Sequence, residues 1–197
     1  MEADQAAAFT LFAVVAAITP GPSNVMLTAT GAVAGIVRGL PCLLGVAAGM
    51  AVMMSSVAFG LGAVVLSQPV LLGVLKAGGA GFLLWLAWKV ATAPPAAHDA
   101  QASPVGFFGA AAFQWLNPKS WLVSTSAAGT FLRADGDAAR QALAIGALFF
   151  VVALATGFVW LGFGSSVRGW LAVPTRQRTF NVAMAVLLAL SVLLFLP

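Results

Sequence analysis

Charge is scarce in this chain. Only 7% of its 197 residues are Asp, Glu, Lys or Arg, against about 25% in soluble domains. With 61% of residues hydrophobic, a water-soluble domain is excluded and the bilayer is the expected solvent. No charged residue occurs between Gly39 and Leu75, between Gln141 and Val167, or between Thr179 and Pro197, and each interval can hold a span of ~20 residues. Cys42 is the sole cysteine, which excludes an intramolecular disulfide and a cysteine-paired metal site. The excess of Lys and Arg sets a pI of about 10.3. Those residues stand singly, so nucleic acid is not an expected partner. A nucleotide-binding motif is also missing, which argues against direct ATP drive.

What is present is a series of apolar runs. Six spans are expected: Ala6 to Ile36 with a break inside, Leu40 to Leu66, Val70 to Val90, Val105 to Leu132 with a break inside, Ala142 to Phe163, and Phe180 to Leu196. The runs are apolar all round rather than alternating, which favours helices over a barrel. Ala6 to Ile18 has the length of a signal-peptide core, but its leader carries Glu2 and Asp4 and the apolar stretch resumes at Val25. It is read as a retained first span.

The expected organisation is one transmembrane domain over 1–197. A first three-helix repeat covers 1–90, a Pro- and Ala-rich linker with His98 and Asp99 covers 91–104, and a second repeat covers 105–197. At an offset of about 98 to 100 residues, Phe9 falls on Phe107, Pro20 on Pro118, Gly31 on Gly129 and Lys76 on Arg176. Three spans per half make the second copy inverted, and matched broken helices in inverted halves point to a transporter site. Arg38, Lys89, Arg168, Arg176 and Arg178 fall on one side and Lys76, Arg133 and Arg140 on the other. That balance of five against three favours both termini outside the cytoplasm, with the reverse or a dual topology left open.

The breaks carry the chemistry. Proline in a helix removes a donor and clashes with the carbonyl four residues back, so Pro20, Pro22 and Pro118 should free the carbonyls of Ala16, Ile18 and Gln114. Gly21 between two prolines favours local unwinding over a simple kink. A helix restarting at Ser23 or Asn24 would aim its free N–H groups at an anion, while the freed carbonyls face a cation. One unwound segment then complements both ends of a zwitterionic amino acid. Ser23 and Asn24 are candidates to cap the restart or to bond the substrate.

Lys119 lies 14 residues from Val105 and 13 from Leu132, roughly 20 Å from either end of its span. Placing it there costs about 2.5 to 3.5 kcal/mol, and such residues usually face a cavity or a partner. No Asp, Glu or His lies in any span. Its candidate partners are freed carbonyls, a substrate carboxylate, or none if it is neutral; the alternative is a shorter span from which it snorkels. A coupled proton would be carried by Lys119 or by the substrate itself. Gly31, Gly35, Gly39, Gly45 and Gly49 stand at the four-residue spacing of close helix packing. Trp85, Trp88 and Lys89 read as an interfacial anchor.

At these residues the chain resembles the LysE/RhtB family, the amino-acid exporters that include lysine, threonine and homoserine exporters. The likeness rests on Thr19-Pro20-Gly21-Pro22, the glycine-rich stretch Gly31 to Gly49 with Arg38-Gly39, Gly78-Gly79-Ala80-Gly81-Phe82-Leu83-Leu84-Trp85-Leu86, and Asn117-Pro118-Lys119. It implies an all-α integral membrane protein of six transmembrane helices in two inverted three-helix repeats, with the first and fourth helices broken by proline. It further implies export of a small amino acid or derivative across the cytoplasmic membrane, and a site at the two breaks. The segment Leu84 to Thr92 looks most like the branch that exports cysteine and O-acetylserine. The family usually has Asn directly after Pro-Gly-Pro, whereas Ser23 intervenes here before Asn24, so either side chain could take that role.

The expected substrate site is therefore Thr19, Pro20, Gly21, Pro22, Ser23 and Asn24 facing Gln114, Asn117, Pro118 and Lys119. No cofactor, metal or catalytic residue is expected. The expected partners are a small amino-acid substrate and the lipid bilayer, with homo-oligomerisation left open. The alternatives are a six-helix membrane enzyme or redox carrier and a non-transporting scaffold or channel. The first lacks a cysteine pair and membrane acids, and the second leaves Lys119 unexplained.

Overall fold

A computed structural model describes residues 2–93, 105–133 and 136–195. Most of the expected linker, with His98 and Asp99, and the end of the last expected span lie outside the described residues. Among the described residues the fold is all-α. It comprises α1 (Ala3–Ile18), α2 (Pro22–Ser56), α3 (Gly62–Ser67), α4 (Pro69–Ala91), α5 (Phe107–Leu116), α6 (Pro118–Phe131), α7 (Ala138–Val167) and α8 (Pro174–Ser191). Pro22, Pro69, Pro118 and Pro174 each open a helix, the position where a missing N–H and a fixed φ cost nothing.

Three helical runs are long and apolar enough to cross a membrane: Pro22–Val65, Leu72–Ala91 and Ala138–Val167. Ala3–Ile18 and Phe107–Leu116 are shorter apolar helices. Large apolar side chains such as Phe108, Val70 and Val37 stand exposed, as a lipid-facing surface requires and an aqueous one would not tolerate.

The 35-residue α2 is not one rod. Gly35 adopts φ +76° and ψ 179°, so the chain turns there. The expected boundary between Ile36 and Leu40 falls instead at Gly35, because a left-handed φ is readily available only to glycine. The same helix line ends in a π-helical turn at Val57–Leu61, where Gly60 has φ +120°.

The core is built by glycine-mediated contact between α2 and α7, its largest interface. A Cβ on Gly31 would overlap the Leu161 carbonyl and approach Ser165 N to 2.9 Å, and one on Gly164 would overlap Thr28. Gly45 and Gly49 bring α5 equally close, since a Cβ on Gly49 would lie 2.7 Å from the Ala111 carbonyl oxygen. Gly39 closes on the Leu161 side chain. Gly35 departs from this expected packing stripe: a Cβ there would meet nothing within 4 Å. It serves the turn, not a helix contact.

Docking crosses between the two halves. α1 packs on α7 and α6, α5 packs on α2, and α4 pairs with α8. With α2 divided at Gly35, each half runs a short helix, a helix opened by proline, a long helix and another proline-opened helix. Between them the short helices α1 and α5 deliver both interruptions, 19–21 and 117, to the centre of the bundle.

Candidate functional site

At the first interruption α1 ends at Ile18 and α2 begins at Pro22, with Thr19 at ψ 129° and Gly21 fully extended (φ −174°, ψ 179°). The helix therefore restarts at Pro22, not at Ser23 or Asn24 as expected. Gly21 is an N-cap with no side chain to offer. Among the described residues the amides of Ser23 and Asn24 have no acceptor, as the first turn of an uncapped helix leaves them.

The expected acceptors shift as well. Asn24 Nδ2 donates to the carbonyls of Ala17 at 3.0 Å and Thr19 at 2.8 Å, and Lys119 Nζ donates to the Thr19 carbonyl. Ala17 and Thr19, not Ala16 and Ile18, thus receive the side-chain donors. The chain is extended rather than kinked at the break, so counting four residues back from a proline does not apply. Gln114 does not keep a free carbonyl either, since it accepts Asn117 N–H at 3.2 Å.

The second interruption is a single residue. Asn117 caps α6 by accepting Lys119 N–H at 3.1 Å on Oδ1. Its carbonyl accepts from Ser120 N at 3.0 Å, and its Nδ2 donates to Ser23 Oγ at 3.1 Å across the two halves. Ser23 Oγ donates to Gln114 Oε1 at 2.9 Å, Ser120 Oγ donates to the same oxygen at 3.1 Å, and Gln114 Nε2 donates to the Ala110 carbonyl at 3.0 Å. Gln114, Asn117 and Ser120 are buried, so a connected network of this kind fixes their rotamers.

These groups surround a cavity of about 50 Å³, room for a few waters. Its polar wall is Gly21, Ser23, Asn24, Gln114, Asn117, Lys119 and Ser120; the rest is Ala16 and Ala17 of α1, Leu27, Val46 and Met50 of α2, Val123 of α6, and Phe149, Ala153, Thr156 and Gly157 of α7. Of the expected site residues, Thr19 reaches the site through its carbonyl. Pro20 does not line the cavity, and Pro22 and Pro118 shape it as helix openers. Gly21 allows Lys119 its place, for a Cβ there would lie 2.8 Å from Lys119 Cδ. Ser23 joins the network while Asn24 holds the break, so both take part.

Sequence reading missed the apolar wall, because Met50, Phe149 and Ala153 sit inside uniformly apolar runs and nothing marks them there. It missed Ser120 too, although a polar residue one turn beyond the second break was a signal that could have marked it.

A bundle of apolar helices enclosing a small cavity with one ammonium, free amides and backbone carbonyls has the build of a membrane carrier for small polar molecules. The chain belongs to the LysE type translocator family, whose description it matches over residues 14–196. It is similar to the cysteine/O-acetylserine efflux proteins of Salmonella choleraesuis and Salmonella typhimurium, at 29% identity over 184 residues covering 92% of each chain. It is also similar to that of Escherichia coli K12, at 27% over the same share. No solved structure matches. The protein is a multi-pass inner-membrane secondary transporter for efflux of a small molecule, not an enzyme.

Proposed function

We propose that this transporter exports a small amino acid or derivative of the cysteine, O-acetylserine, threonine or homoserine type, and that the cavity between the two interruptions is its binding site. The observation that carries the reading is the meeting of Lys119 with the Thr19 carbonyl at that cavity, beside the unbonded amides of Ser23 and Asn24. A substrate carboxylate would replace the Thr19 carbonyl on Lys119 and accept from the two amides. The substrate ammonium would take the released Thr19 carbonyl and Gln114 Oε1.

The crossed docking of α1 on α7 and of α5 on α2 maps onto itself when the halves are exchanged. It supports two inverted repeats with six spans and proline-broken first and fourth helices, rocking about the α2–α7 contact. The charge balance supports termini outside the cytoplasm. Lys119 is the titratable side chain of the cavity wall, and we assign proton exchange to it: neutral, it donates to the carboxylate, and on taking a proton from outside it turns back to the Thr19 carbonyl and repels the substrate ammonium, which releases the substrate.

The test is efflux from liposomes reconstituted with the full chain and loaded in turn with labelled cysteine, O-acetylserine, threonine, homoserine and lysine. Efflux of at least one neutral member above empty liposomes, faster with an acidic exterior, is expected. Loss indistinguishable from empty liposomes across the panel would refute export, and indifference to the pH gradient would refute proton exchange.

A further inference from the structure

The cavity has two unlike walls, and only the polar one enters the reading above. Facing it, Met50, Val123, Phe149 and Ala153 belong to a single buried apolar cluster that continues to Phe9 and Ala13 of α1. Thr156 lies on the same face of α7, and its hydroxyl is already committed to the Val152 carbonyl at 2.8 Å. Among the described residues no carboxylate lines the cavity. The described acids, Glu2, Asp4 and Asp137, are exposed at the N-terminal ends of α1 and α7.

We infer that Met50 and Phe149 are side-chain specificity determinants, and that the site takes amino acids with small uncharged side chains and rejects lysine, arginine and aspartate. The inference rests on the binding reading just given. If the main-chain carboxylate and ammonium occupy the polar wall, the side chain must lie on the Met50–Phe149 wall. A charged side chain there would be desolvated without a partner. A cationic one would also add a second positive charge near Lys119 with no acid to balance it.

Size follows from the same wall. Phe149 is nearly fully buried in the same core cluster as Phe9 and Ile145, so it cannot retreat without disturbing the core. Met50 is flexible and can yield modestly. Discrimination by an apolar wall runs at roughly tenfold or more per misplaced methylene, enough to separate threonine from phenylalanine but not from homoserine.

The experiment compares efflux from full-chain proteoliposomes loaded with equal concentrations of labelled threonine, homoserine, methionine, phenylalanine, lysine and aspartate. For the wild type, threonine and homoserine should leave at similar rates and lysine, aspartate and phenylalanine at least tenfold more slowly. Met50→Glu should raise the lysine-to-threonine ratio at least tenfold. Should that variant fail to fold, Met50→Ala and Phe149→Ala serve instead by raising the methionine-to-threonine ratio several-fold. These ratios do not move when a variant merely lowers the amount of active protein.

Wild-type efflux of lysine equal to that of threonine would overturn the inference while leaving export intact. So would ratios unmoved in the variants. Efflux of none of the six, and of neither cysteine nor O-acetylserine run beside them, would instead strike at the binding reading itself.

Discussion

The two interruptions share a proline at the helix restart and differ in how their backbone is satisfied. At Asn117 the repair is local: its side chain caps α6, its N–H returns to Gln114, and its carbonyl takes Ser120 N–H. At Thr19–Gly21 the repair comes from elsewhere. The N-cap is a glycine, the carbonyls are served by Asn24 and by Lys119 from a hundred residues away, and the first amides of α2 stay unbonded. A self-contained break is a rigid mount for side chains. A break held by borrowed partners can exchange them for a ligand, so the first interruption is where binding and movement are expected and the second is what presents Lys119 to it.

Removing the borrowed partner should have the largest effect. Lys119→Met is expected to lower transport about 10- to 100-fold, the range of a lost hydrogen bond to a charged group, in the liposome efflux assay. Gly21→Ala is the companion experiment. Its extended backbone suits any residue, yet the new Cβ would sit 2.8 Å from Lys119 Cδ and 3.1 Å from Nζ. The ammonium is then displaced rather than removed, and transport should fall about tenfold with little change in thermal stability. Equal, near-wild-type transport in both variants would erase the distinction between the two breaks.

At the self-contained break the effect should appear in stability first. Asn117→Ala deletes an N-cap, which costs about 1 kcal/mol, and leaves Ser23 Oγ without its donor. A fall in melting temperature of roughly 2–4 °C is expected, with Asn117→Ser recovering much of it because serine also caps. If Asn117→Ala instead abolished transport at unchanged stability, Asn117 would be a ligand-binding residue and the mount description would fail.

Much of this was legible beforehand, and the misses share a cause. Scarcity of charge gave the membrane helices, and an isolated lysine beside Asn-Pro marked Lys119, because an ammonium in an apolar run has few inexpensive explanations. The glycine spacing gave real packing at Gly31, Gly39, Gly45 and Gly49 but misassigned Gly35, since periodicity is blind to a residue's φ. The carbonyls that take the side-chain donors lie one residue beyond those expected, because proline counting presumes a continuous helix and the chain is extended at Thr19–Gly21. Met50 and Phe149 were not legible at all. A wall made of ordinary apolar residues becomes a wall only when α2 and α7 face each other.

The smallest expected effect concerns the other end of α1. That helix is tied at its C-terminal end by Asn24 and Lys119, and near its start by Gln5 Nε2 donating to the Phe131 carbonyl at 2.7 Å and by a 3.2 Å ion pair between Glu2 and Arg133. The ion pair is exposed at both side chains, so water and salt screen it and its contribution lies between about 0 and 1 kcal/mol. The Gln5 bond is part-buried, and its loss should cost about 1 kcal/mol. Glu2→Gln should therefore shift the melting temperature less than Gln5→Ala, and the shift should shrink further at high salt. If Glu2→Gln proved the larger, or altered transport as strongly as Gly21→Ala, α1 would be anchored by charge at its start. The borrowed contacts at its end would then no longer be what sets its freedom to move.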